Sequence, residues 1–205
     1  MPNTYFINDE ILNVHCNSAM GLERSKLASE VKKYNIPLEQ FRIFDSASNA
    51  VLPNAAVSDD LGLILGTFGT SDFSIQTSDA KATTVTQKAR FRFWLPPEYD
   101  AGQAVQIVAY GGMLTTISDG TATVDFNVYK KDAATGLVGS DLVTTAATTI
   151  NSLTAGADVF DLTTTGFVNG DELTGMVTIA ITDTATGTAV IGKLTKIYYQ
   201  ITVRG

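Results

Sequence analysis

A chain of 205 residues supplies one ordinary domain with some length to spare and does not stretch to two large ones. Hydrophobic residues make up 44% and charged residues 17%, against a usual charged share of about 25%, which excludes disorder over most of the length and a charged solvating tail. The net charge of −7 rests on only 14 basic residues, and no basic run exceeds two, so nucleic acid is not an expected partner. Cys16 is the single cysteine, which rules out an intrachain disulfide and a cysteine-based zinc cluster. The opening MPNTYFINDE has neither a basic start nor an apolar run, and no apolar stretch approaches the ~20 residues that span a bilayer. The expectation is a protein assembled inside a cell, with no membrane partner.

In chain order, the first element is helical. At about 100° per residue, Met20, Leu27, Val31 and Tyr34 fall on one stripe, while Arg24, Lys32 and Lys33 lie off it. This predicts a short amphipathic helix over Met20–Tyr34, stopped by Pro37. Short apolar pieces follow (FRIF, AVLP, LGLILG), broken by turn residues, and then a polar Ser/Thr-rich stretch over 70–88. Residues 1–80 are expected to form an arm that docks on a larger partner, with Leu27, Val31, Phe41, Ile43, Leu63 and Ile64 as its contact residues. That this region instead completes the main fold remains open on the residues alone.

From Thr86 the pattern turns to period two, the mark of strands with one buried face. In ARFRFWL the inward set is Ala89, Phe91, Phe93 and Leu95, with Arg90, Arg92 and Trp94 outward. In TATVDFNVYKK it is Ala122, Val124, Phe126 and Val128. Similar runs occur at QAVQIVAY, DLVTTAATTI, DVFDLTT, ELTGMVTIAIT, TAVIGKL and TKIYYQITVR, making eight candidate strands separated by DG, TG and NG turn signals. No helical period interrupts them, so the expected fold is all-β: an antiparallel two-sheet sandwich of jelly-roll type over residues 81–205, behind an N-terminal arm with one short helix. Threonine fits that surface, because a β-branched side chain loses little rotamer freedom on a pleat and its hydroxyl faces water.

Catalytic chemistry finds no constellation. The one histidine, His15, adjoins Cys16, and in an extended segment neighbours point to opposite faces. The acidic pairs Asp9–Glu10, Asp59–Asp60 and Asp171–Glu172 sit in turn-like contexts rather than facing one another across a cleft. Asp119 and Asp125 lack the spacing of a calcium loop. The glycines between Gly62 and Gly69 lack the lysine of a phosphate loop. No catalytic residue, metal or cofactor is assigned.

ARFRFWLPPEY, AGQAVQI, GGMLTTISDGTATVDFNVYKKD, INSLT and VTIAITDTATGTAVIG, with SDDLGLILGTFGT upstream, resemble a group of tailed-bacteriophage virion proteins over residues 55–205. The resemblance implies a capsid decoration, or cement, protein on the outer surface of the virion. It would be a homotrimer that binds the major capsid protein and is assembled in the bacterial cytoplasm. The helix is not matched by that group. Tyr198 and Tyr199 are the expected self-association residues. The same composition suits a carbohydrate- or receptor-binding sandwich of a phage fibre, which would stack sugars on Trp94, Tyr110, Tyr129, Tyr198 or Tyr199. A sugar-degrading jelly-roll enzyme fits less well, for want of cleft carboxylates.

Overall fold

The computed structural model describes residues 29–44, 49–67, 69–132, 134 and 136–204. Eleven strands are formed: β1 (Ser29–Asn35), β2 (Gly62–Ile64), β3 (Ser74–Gln76), β4 (Thr84–Trp94), β5 (Val105–Met113), β6 (Gly120–Asp132), β7 (Gly136–Val138), β8 (Thr148–Thr149), β9 (Gly156–Asp161), β10 (Glu172–Asp183) and β11 (Gly192–Arg204). Sheet A runs β2-β3-β11-β5-β9 with β1 also on β11, and sheet B runs β4-β10-β6-β7 with β8 also on β6. Every strand pairing within the two sheets is antiparallel. The fold is a two-sheet antiparallel β-sandwich, consistent with a jelly roll.

Alternation puts the core between the sheets. Ala89, Phe91 and Phe93 of β4, with Leu95 beyond its end, are buried, and Arg90, Arg92 and Trp94 face outward. Ala122, Val124, Phe126 and Val128 fill the same layer from β6. Phe160 of sheet A closes on Phe126 at 4.8 Å between ring centres, and Phe126 meets Phe91 edge-on at 5.9 Å. Each such ring contributes about 1.5–3 kcal/mol by leaving water. Beside Phe91, β10 has Gly175, where an added Cβ would lie 2.2 Å from Phe91 Cζ, so glycine makes the room the ring occupies.

Two expectations are corrected. The helix over Met20–Tyr34 is not formed in the part described: Ser29–Asn35 is β1, laddered on β11 from Ser29↔Arg204 to Asn35↔Tyr198. A helix that short is marginal by itself, whereas the β11 edge offers seven paired residues and a ring stack of Tyr34 on Tyr199 at 4.9 Å and 14°. Met20–Ala28 lie outside the described residues. The GKL end of TAVIGKL and the run TKIYYQITVR, expected in two strands, belong to one: Gly192–Arg204 is continuous, with a register shift between Leu194 and Lys196 against β5, while residues 188–191 precede it. The extra residue, Thr195, reverses the phase of alternation and hides the continuity.

Residues 36–44 and 49–61 wrap the free edge of β4. Arg42 bridges Arg90, Leu61 N–H donates to the Lys88 carbonyl at 2.9 Å, and Lys88 N–H to the Asp59 carbonyl at 2.7 Å. Through this wrap Ile36, Phe41, Leu52 and Leu61 enter the same hydrophobic cluster as the sheets. Among the described residues no helix is long and apolar enough to cross a membrane.

Candidate functional site

The outer face of sheet B carries two kinds of surface on the same three strands. Register places Arg92, Thr174 and Tyr129 in one row and Arg90, Met176 and Asn127 in the next. Towards the other end the rows read Thr86, Ala180, Thr123 and Thr84, Thr182, Thr121. Trp94 closes the first end of β4 and is 54% exposed. It is the only tryptophan in the chain.

Trp94 stands where two grooves meet. The first, about 350 Å³, lies over the edge of β4 and is lined by Gln40, Arg42, Asn49, Arg90, Arg92 and Trp94, with Phe91 and Thr174 in its wall. The second, about 600 Å³, continues past Gln40, Arg92 and Trp94 to Lys33, Tyr34 and Tyr199 in the opening between β1 and β4. From Arg90 to Trp94 the strand alone covers about 13 Å. Gln40 and Arg42 come from the segment that wraps β4, held there because Arg42 N–H donates to the Arg90 carbonyl at 2.8 Å and Arg90 N–H to the Arg42 carbonyl at 2.9 Å. Arg42 Nη1 donates to the Glu39 and Phe41 carbonyls at 3.0 and 2.9 Å, which fixes its plane. Arg90 Nη1 makes a 3.4 Å contact with the Phe44 carbonyl. Arg92 lies 3.6 Å from Glu172, whose other oxygen takes Lys131 at 2.7 Å.

Beneath Trp94, Tyr199 donates its hydroxyl to the Trp94 carbonyl at 2.8 Å. Burial pushes the Tyr199 phenol up to about 12, with the Glu98 charge adding to it. Tyr34, stacked on Tyr199, donates to Glu98 at 2.5 Å. Burial, then that bond, raises the Tyr34 pKa, and the bond from Tyr34 is the chief reason the Glu98 pKa is lowered.

The five aromatics named for sugar stacking are thus separated. Trp94 and Tyr129 are on the outer face of sheet B. Tyr110 and Tyr198 are on the outer face of sheet A, 6.4 Å apart, where Lys33 and Lys196 lie over the Tyr198 ring and leave it 7% exposed. Tyr199, being the next residue in the strand, points inward to the core. Neither ring of the Tyr198–Tyr199 pair is open to solvent within one chain.

Of the residues expected to dock a partner, Leu27 lies outside the described residues, as do His15 and Cys16. Val31 is exposed on β1. Phe41 is 1% exposed with its ring 5.1 Å from Phe91, so it is a core residue and offers no surface. Ile43 and Leu63 pack against the core from its margin, and Ile64 lines a groove on the β2–β3 edge with Leu65, Phe73 and Leu114. Of the acidic pairs, Asp9–Glu10 lies outside the described residues and the other two make structural contacts. Asp60 accepts from Phe44 N–H at 2.6 Å, Asp171 pairs with Lys130 at 2.7 Å, and Glu172 pairs as above. Among the described residues no three metal-ligating side chains converge.

Sequence reading reached Trp94, Arg90 and Arg92 as an outward set but missed Gln40, Arg42 and Asn49. The available signal was the F-R-I-F alternation, which matches R-F-R-F-W in β4.

No family model matches the chain, and no curated protein does. Among solved structures it is similar to the CBM22-1 xylan-binding domain from Paenibacillus barcinonensis Xyn10C, at 12% identity and a TM-score of 0.45, over 87% of this chain and 98% of that one. A structure titled CBM4 structure and function gives 13% identity and 0.39, over 81% and 99%. A structure of infectious bursal disease virus, Gx strain, gives 12% and 0.27, over 87% and 52%. At these scores any functional assignment rests on the groove itself.

Proposed function

We propose that this chain is a non-catalytic carbohydrate-binding module whose site is the trough centred on Trp94. The observation that carries the reading is Trp94 itself: a tryptophan held open to solvent at the meeting of two grooves, ringed by flat hydrogen-bonding side chains. An indole face takes the apolar face of a pyranose, and planar guanidinium and amide groups beside it take the ring's hydroxyls. Its backbone is fixed by Tyr199 from below, so the ring is presented on a rigid strand.

Because Trp94 is the sole tryptophan, intrinsic fluorescence reports on the site directly. Titration with a panel of neutral and acidic oligosaccharides should shift its emission with at least one of them, and Trp94→Ala should weaken retardation by that glycan in affinity electrophoresis about tenfold or more. No emission change and no retardation with any glycan of the panel would overturn the reading.

A second reading, virion decoration, is supported by the phage resemblance and by a separate surface. Leu65, Phe73 and Leu114 are exposed together on the β2–β3 edge, an apolar patch suited to burial against a neighbour. It requires a closed homo-oligomer, a trimer by the resemblance, that binds a capsid shell. Sedimentation at micromolar concentration and rebinding to stripped phage heads test it, and a monomer that ignores capsids overturns it.

A further inference from the structure

Three of the five arginines in a chain of net charge −7 converge on this one trough. Arg42 and Arg90 exchange both main-chain hydrogen bonds, the arrangement that sets two Cα atoms about 5.5 Å apart with side chains on the same face. Like charges placed directly opposite each other in a ladder are destabilising. Arg92 is two residues further on the same face, so all three guanidiniums line one groove. Among the described residues the only carboxylate within ion-pairing distance of any of them is Glu172, which also serves Lys131. Among the described residues Arg42 and Arg90 have none. The Arg42 fork is instead oriented by two main-chain carbonyls, which set its direction without cancelling its charge.

We infer that the sugar bound beside Trp94 is anionic, its carboxylate or sulfate group held by Arg42 and Arg90 while the indole takes an adjoining ring. This rests on the trough being a glycan site and adds its substrate class. The guanidinium fork matches a carboxylate or sulfate through paired N–H donors, and such a group relieves the repulsion of the two arginines. The overall negative charge of the chain favours a short stretch of acidic sugar seated in the trough over a long polyanion laid across the surface.

The test titrates the full chain, by Trp94 fluorescence, with trigalacturonate, a sulfated disaccharide, neutral xylotriose and a short single-stranded oligonucleotide. One of the two acidic sugars should bind about tenfold more tightly than xylotriose, and which one does so identifies the anionic group. Arg90→Gln, at a residue whose side chain makes a single long contact, to Phe44, among the described residues, should bring the acidic ligand down to the level of xylotriose without lowering the thermal transition. Arg90→Lys should recover part of the difference, which a merely structural loss would not do. Equal affinity for neutral and acidic sugars with a silent Arg90→Gln would overturn the inference and leave the glycan reading in place. Binding of neither class would overturn both. Oligonucleotide binding as tight as that of the acidic sugar would also overturn it, since the trough would then respond to charge alone.

Discussion

The two ends of the outer face of sheet B are built on the same strands, over the same buried layer, and differ only in what the outward positions carry. At one end Thr84, Thr86, Thr121, Thr123 and Thr182 make a neutral surface of short β-branched side chains. At the other, Arg90, Arg92, Trp94 and Tyr129 occupy equivalent positions of the pleat, and the wrap after β1 adds Arg42 and Gln40 beside them. The inward set does the folding at both ends, so the outward set is free to differ. The threonine rows carry no charged side chain. The arginine end carries both charge and a groove, because a second segment of chain raises a wall against the β4 edge.

If that division holds, the largest effects on stability come from the shared layer. Phe126→Ala should cost about 3–5 kcal/mol, measured by denaturant unfolding, because its ring bridges Phe91 and Phe160. Gly175→Ala is the next largest, about 1–3 kcal/mol, since the new methyl would overlap the Phe91 ring. It should also weaken ligand binding, as Phe91 forms part of the first groove. A Gly175→Ala protein with full stability would show that Phe91 has slack and that the groove wall is softer than drawn. Substitutions in the outward set should reverse the pattern. Trp94→Ala should move the thermal transition little while lowering glycan affinity about tenfold, whereas Thr182→Ala should stay within about 0.5 kcal/mol and leave binding untouched. Loss of binding in Thr182→Ala would place the site on the wrong end of the sheet.

The inner layer was legible in the sequence because alternation in long strands is a local signal. Ala89, Phe91 and Phe93 in β4, and Val124, Phe126 and Val128 in β6, announce their face within each run. β1 was not legible: in SEVKKYN both faces carry polar residues, so a coincidental helical stripe outweighed a strand that exists through its pairing with β11. β11 was misread for the opposite reason, since one inserted residue at Thr195 broke a strong period. Half of the trough was legible, Trp94 and its two arginines being outward in β4 by count. The other half depends on Arg42 meeting Arg90, residues 48 positions apart, and nothing local in FRIF says which edge it will cover. The separation of Tyr198 from Tyr199 follows from their adjacency in a strand.

The pH-dependent effects tie each end to the core, and they differ in sign with pH. At the threonine end, Asp183 accepts from Ala82 N–H at 2.7 Å and from Thr186 Oγ1 at 2.7 Å. Its burial opposes ionisation, but the bonds from Thr186, Ala82 and Ala185 outweigh that and hold the carboxyl below its ordinary value of 3.8. A carboxylate favoured in the folded state contributes stability that is present above the unfolded value and lost as pH falls through the folded one. At the trough end, the Tyr199 phenol, with an ordinary value of 10.0, is pushed up to about 12 by burial and then by the Glu98 charge. The folded chain therefore holds that proton more tightly, so this contribution is full below about pH 10 and declines as pH rises towards about 12. Tyr199→Phe should cost about 1 kcal/mol at neutral pH for the hydrogen bond to the Trp94 carbonyl. It should also flatten part of the alkaline decline in Tm, while leaving the acid limb unchanged. Tyr34 and Tyr99, raised in the same direction, chiefly by burial, keep the remainder of the alkaline limb. Asp183→Asn should do the converse, flattening the acid limb alone. Thermal melts of the three proteins across the pH range read both at once. If Tyr199→Phe alters the acid limb, or leaves the alkaline one intact, the hydroxyl under Trp94 does not make the connection assigned to it.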